Sequence, residues 1–278
     1  MVKKAITIWA YENGVQGDYD LRQVIPKAIK DGFEAIELSF SLEGTISFET
    51  NTEELKYNYE KWKESGIEFS SISTLLFHEI NLCMERDRIF AVSLLKQMIY
   101  LASILGISTI SIPAGYLKKN EKYWDLFHGL IWVVDQIKDY AEEKSIFVCV
   151  ENTWDSLFNS PIDVLYFKEK ISCNSVGMCF DIGNTIITGF PQHWLDVLDS
   201  YIRKIHFTDI HKRKSGILEF VFPGEGNVDY EILKKYSSIK TVEYITVEAF
   251  YSRIHKDENW YIKCAKQLEK LQKSIWEV

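Results

Sequence analysis

Short apolar stretches rich in β-branched and aromatic residues recur along this chain, each followed by a longer segment whose apolar positions have helical spacing. Eight of them predict strands, over 5–9, 35–38, 69–73, 109–112, 146–150, 176–180, 204–207 and 244–247. Several are nearly continuous in apolar residues, as expected of parallel strands covered on both faces. The amphipathic segments between them predict helices over 21–29, 53–64, 86–105, 123–143, 161–171, 194–202, 230–236 and 257–271. Gly32, Gly66 and Gly106 stand ahead of the second, third and fourth strands, where a helix C-terminus favours a residue tolerant of positive φ. Eight units in 278 residues leave about 35 residues each, enough for a strand, a crossover helix and two loops. No linker, Pro-rich stretch or shift of composition interrupts the rhythm, which predicts one α/β domain over 1–278, a closed (β/α)8 TIM barrel. An open doubly wound sheet is the alternative.

Composition narrows the function. With 46% apolar side chains a sizeable core can be buried, and 40 acidic against 32 basic side chains give a net charge of -8. That charge repels a polyphosphate backbone, so no nucleic-acid partner is expected. No uninterrupted apolar run reaches the roughly 20 residues of a membrane span, and Met1 to Ala5 lead into a strand rather than a signal core, so no membrane partner is expected either. Five cysteines (Cys83, Cys149, Cys173, Cys179, Cys264), odd in number and without a Cys-x-x-Cys pair, read as reduced residues of a cytoplasmic protein.

In a parallel barrel the C-terminal strand ends converge on one mouth. From the fifth strand onward those ends turn polar. Val148-Cys149-Val150 runs into Glu151-Asn152, and Met178-Cys179-Phe180 into Asp181-Ile182-Gly183-Asn184. Strand seven carries His206 and leads to Asp209, and strand eight ends at Glu248. Taken singly, Glu151 and Glu248 also read as solvated loop residues, Asp181 as an Asx-type turn and His206 as a satisfied core histidine. Taken together they differ, because adjacent strands lie about 4.8 Å apart and three carboxylates around one imidazole repel each other without a cation. Oxygen-rich ligation with one nitrogen suits one divalent ion, Mn2+, Mg2+ or Co2+, with Zn2+ still open.

These residues resemble the sugar-phosphate isomerase/epimerase family of xylose isomerase-like barrels, which also contains ketose 3-epimerases, inosose dehydratases and endonuclease IV. The architecture matches over nearly the whole chain, the specific motifs over its second half. Ile205-His206-Phe207-Thr208-Asp209 and the downstream Pro223-Gly224-Glu225-Gly226-Asn227-Val228-Asp229-Tyr230 look like the strand-seven region of pentulose-phosphate 3-epimerases, the second motif leading into a helix. The resemblance implies Glu151, Asp181, His206 and Glu248 as metal ligands. It implies Glu151 and Glu248 as catalytic bases on opposite faces of a ketose, taking and returning a proton beside the carbonyl through a metal-stabilised enediolate. Asn152 or Asp209 is expected to fix their direction by a hydrogen bond. Substrate contacts are expected from Glu37, Asn184 and Asp209, from Lys212 and Arg213 toward a phosphate, and from Trp9, His78 and Trp154 as a wall. Asn184 stands where the family often has histidine, and strand four ends in Ile112-Pro113-Ala114-Gly115 without one, which argues against DNA cleavage. The expected partner is a small sugar or sugar phosphate. Two alternatives stay open, a lyase that dehydrates a cyclic polyol ketone and a barrel that binds a carbohydrate or metal without turnover. Relatives commonly associate through their outer helices, which leaves a homo-oligomer open.

Overall fold

The structure, a computed structural model, describes residues 2–254 and 259–276. Seven parallel strands follow in chain order: β1 (Lys3–Thr7), β2 (Ala35–Ser39), β3 (Glu68–Ser73), β4 (Thr109–Pro113), β5 (Phe147–Glu151), β6 (Val176–Asp181) and β7 (Ile202–Phe207). An antiparallel hairpin of β8 (Asp209–Lys212) and β9 (Leu218–Val221) comes next, and then β10 (Tyr244–Val247). The parallel strands close into a barrel in the order β1-β10-β7-β6-β5-β4-β3-β2. All eight predicted barrel strands are present, and the closed order excludes the open sheet.

Helices cover the outer face and bury the apolar positions that the periodicity marked. Helix 85–105 turns Leu94, Leu95, Met98 and Leu101 inward, and Val164, Phe167 and Ile171 do the same on helix 161–171. Gly106 closes the first of these at φ 68°, its N–H reaching the carbonyls of Ala102 and Ser103. Ser160 and Asp163 form a reciprocal capping box at the start of the second.

The structure corrects the sequence at several boundaries. The predicted helix 123–143 divides into Tyr123–Asp135 and Lys138–Glu143. The helix expected over 194–202 is Pro191–Leu198, because Pro191 suits the first turn and Ile202 already begins β7. The last helix spans Trp260–Trp276, and the expected start at 257 lies outside the described residues. By length and composition, Glu85–Leu105 is long and apolar enough to cross a membrane. A count of uninterrupted apolar runs missed it because Arg88 and Lys96 break the run. The hairpin was missed because its strands are four residues long and largely exposed, and the first of them ends in the cationic run His211-Lys212-Arg213-Lys214. All five cysteines are unpaired.

Candidate functional site

The register of the sheet assembles the site. Glu151 ends β5, Asp181 ends β6 and pairs with His206 of β7, and Glu248 directly follows β10. One ligand atom from each of these four residues lies within 4.8 Å of all the others. His206 Nδ1 is 3.1 Å from Glu151 Oε1 and 3.2 Å from Glu248 Oε2. Asp181 Oδ1 accepts from the Asn184 N–H at 2.8 Å and from the Thr208 hydroxyl, whereas Oδ2 is buried without a partner. Burial pushes the Asp181 carboxyl well above the usual carboxylate range, and Glu248 and Glu151 push the same way. Burial also raises Glu151, with the His206 ring opposing it. Crowded carboxylates with an unpartnered buried oxygen fit a divalent cation, which supplies the missing charge and the missing partner.

Cys179 lies one inward-facing position below Asp181 and forms an alternative trio with Glu151 and His206. Burial raises its thiol pKa, so the oxygen-rich foursome is the better fit for a hard ion.

The groups behind His206 were largely missed from sequence. Its Nε2 lies 2.7 Å from Lys204 Nζ and 3.2 Å from Glu37 Oε1, and Lys204 is ion-paired with Glu37. Ser71 donates its hydroxyl to Glu37 Oε2 at 2.5 Å. Burial opposes both charges, yet mutual attraction outweighs it. Lys204 and His206 hold the Glu37 carboxyl well below its usual range, and the anionic neighbours hold Lys204 above its own. Glu37, expected to face substrate, is fully buried and does not line the cavity. Strand periodicity was the available signal, since Lys204 and His206 are two residues apart and share a face.

Neighbouring segments brace the ligands. The Asn152 side chain bridges β5 to β6, donating to the Asp181 carbonyl and accepting from the Asp181 N–H, both at 2.9 Å. Gly183 must be glycine, because a Cβ there would sit 2.3 Å from Thr208 Oγ1, which accepts the Gly183 N–H and donates to Asp181.

Asp209 has both carboxylate oxygens engaged. It accepts from the N–H groups of Ile210, Gly224, Gly226 and Val228 at 2.9–3.1 Å, which ties the 223–228 loop to the end of β7. It therefore positions this loop rather than the Glu151 or Glu248 carboxylate, and Asn152, expected to fix the direction of those carboxylates, braces the Asp181 backbone instead. Asp229 caps the short helix Tyr230–Lys235, as the motif suggested. Asp209→Ala is expected to cost about 2–4 kcal/mol of stability and to expose the 210–228 segment to limited proteolysis. Unchanged cleavage and unchanged denaturation midpoint would remove Asp209 from the anchoring role.

A cavity of about 790 Å3 opens above Glu151, Asp181 and Glu248. Trp9, His78, Trp154 and Asn184 line it as expected. Trp9 stacks on Phe250 with centroids 5.7 Å apart, and His78 stacks on Tyr116, whose hydroxyl is 2.8 Å from His78 Nε2. Asn184 is buried and its side-chain oxygen has no partner. Lys212 and Arg213, expected to bind phosphate, do not line the cavity. Lys212 donates to the carbonyls of Ile186 and Ile187, and Arg213 is paired with Glu219 at 2.9 Å.

Residues 25–271 match the model of a family described as xylose isomerase-like TIM barrels. No curated protein matches the sequence. Among solved structures, D-psicose 3-epimerase with D-tagatose from Clostridium cellulolyticum H10 is 17% identical, with TM-score 0.77 over 99% of this chain and 100% of that one. A xylose isomerase-like TIM barrel protein from Mycobacterium smegmatis in complex with magnesium is 14% identical, with TM-score 0.78 over 99% and 97%. The IOLI protein with a binding zinc atom is 17% identical, with TM-score 0.78 over the whole of both chains. At such identities the likeness is one of fold.

Proposed function

Since the chain belongs to the family of xylose isomerase-like TIM barrels, we propose that it is a divalent-metal-dependent isomerase or epimerase of a ketose or ketose phosphate. One observation carries this reading: Glu151, Asp181, His206 and Glu248 converge within 4.8 Å beneath a cavity large enough for a sugar, and Asp181 Oδ2 is left without a partner. Glu151, Asp181, His206 and Glu248 would hold a divalent ion there, which would supply Lewis-acid stabilisation of negative charge on the substrate oxygen, worth several kcal/mol. Mg2+ and Zn2+ occur in relatives of the same fold, and the oxygen-rich donor set favours Mg2+ or Mn2+ over a thiophilic ion.

The chain's own groups provide the rest. Glu151 and Glu248 come from β5 and from the end of β10, with β6 and β7 between them, so their carboxylates reach the space above the His206 ring from two sides. That placement suits two bases, one taking the proton beside the carbonyl and the other returning it on the opposite face. The Asn184 amide oxygen is placed to accept from a sugar hydroxyl, and the Trp9 and Phe250 rings form an apolar wall. A 3-epimerase of the same fold was crystallised with D-tagatose, which supports the substrate class.

Incubation with Mn2+ or Mg2+ and a panel of ketoses and ketose phosphates in D2O tests the reading. Deuterium is expected at a carbinol carbon next to the carbonyl. Loss of water from an inosose would move the protein to the lyase alternative, and tight metal binding without any exchange would make it a binding barrel.

A further inference from the structure

With Lys212 and Arg213 committed to other partners, the cationic side of the cavity lies on the C-terminal helix Trp260–Trp276. Lys263, Lys266 and Lys270 of this helix all line the cavity. At spacings of three and four residues they occupy one helix face and extend about 10 Å along it. The helix has a single carboxylate, Glu269, and it is paired with Lys273 at 2.6 Å. Among the described residues neither Lys266 nor Lys270 belongs to an ion pair. Lys266 and Lys270, one turn apart, repel one another, and the one carboxylate of the helix, Glu269, which also feels Lys266, is held in an ion pair by Lys273. The 223–226 loop, tied down by Asp209, continues this wall. Its Gly224 packs so close to Gln267 that a Cβ would lie 2.4 Å from the Gln267 amide nitrogen.

We infer that Lys263, Lys266 and Lys270 form an anion subsite that holds the phosphate monoester at the far end of a ketose whose carbonyl end lies between Glu151 and Glu248. The inference rests on the reading of the cavity as a ketose site and names the phosphorylated member of that class. A chain with a net charge of -8 here presents a cluster of positive charge to a cavity whose floor is acidic. That polarity orients a substrate with a phosphate at one end and a ketone at the other. Ammonium groups on flexible stems suit a phosphate dianion as point charges. The volume of about 790 Å3 accommodates the longer ligand.

The test is calorimetric titration of the full-length, Mg2+-loaded protein at low salt with D-fructose 6-phosphate and D-fructose as probes. The phosphate ester is expected to bind at least about tenfold more tightly than the free sugar, with a preference that weakens at high ionic strength. In Lys266→Gln/Lys270→Gln, which keeps good helix formers at exposed positions, the preference should fall below about threefold with the thermal midpoint unchanged. Lys266→Arg/Lys270→Arg should keep it. A wild-type protein without the preference, or a glutamine variant that retains it, overturns the inference. The binding measurement needs no turnover. Preference without deuterium exchange therefore sinks the proposed reaction and spares the subsite, and exchange on ketoses without the preference does the reverse.

Discussion

With Mg2+ or Mn2+ held at saturation, Glu151→Gln and Glu248→Gln are each expected to slow conversion of the ketose by roughly 10²–10⁴-fold. Glutamine keeps the volume and one ligand oxygen of each side chain but cannot accept a proton. The two carboxylates come from strands on opposite sides of β7 and lie 3.1 and 3.2 Å from the same His206 ring nitrogen, so each is expected to have its own direction of approach to the substrate. Metal content must be measured beside the rates, since each substitution also weakens a ligand. A metal-loaded variant that converts substrate at the normal rate would exclude that residue as a base.

The second large effect lies behind the site. Lys204→Met leaves the Glu37 carboxylate fully buried without its cation, which is expected to destabilise the fold by about 3–5 kcal/mol in chemical denaturation. Glu37→Gln keeps the shape but removes the negative charge and replaces one of the two carboxylate oxygens facing His206 Nε2 with an N–H donor. A proton on Nε2, donated to Glu37, leaves the Nδ1 lone pair free for an ion, so metal affinity should drop about 10–100-fold, read by titration calorimetry. The double variant, which buries no lone charge from this pair, should recover part of the stability lost in Lys204→Met. If Lys204→Met is as stable as the wild type, the pair does not compensate charge as described. If Glu37→Gln binds metal normally, Glu37 does not set the ring's proton.

The hydrophobic rhythm alone made the barrel legible, because strands buried on both faces need nearly continuous apolar runs and each parallel return needs a helix. All eight barrel strands were found, with errors mainly at their ends and at Pro191, where turn chemistry decides over periodicity. The four candidate ligands were also legible, since a carboxylate abutting an apolar strand is costly, and three carboxylates and a histidine on four successive strands mark one mouth. The direction of a side chain was not legible. Glu37 reads like a rim residue, yet it meets Lys204 inside the barrel, because only closure of the cylinder brings β2 opposite β7. Lys212 and Arg213 follow Asp209 closely in sequence, but the hairpin carries them away from the cavity. Lys263, Lys266 and Lys270, remote in sequence from every motif, line it through packing of the last helix.

The sequence by itself determined the alternation of strand and helix, the parallel arrangement and the residues at each strand end, all of which follow from local periodicity and the cost of burying charge. Only the tertiary structure decided which charges face one another, because that depends on register and closure between segments more than 100 residues apart, as with Glu37 and His206.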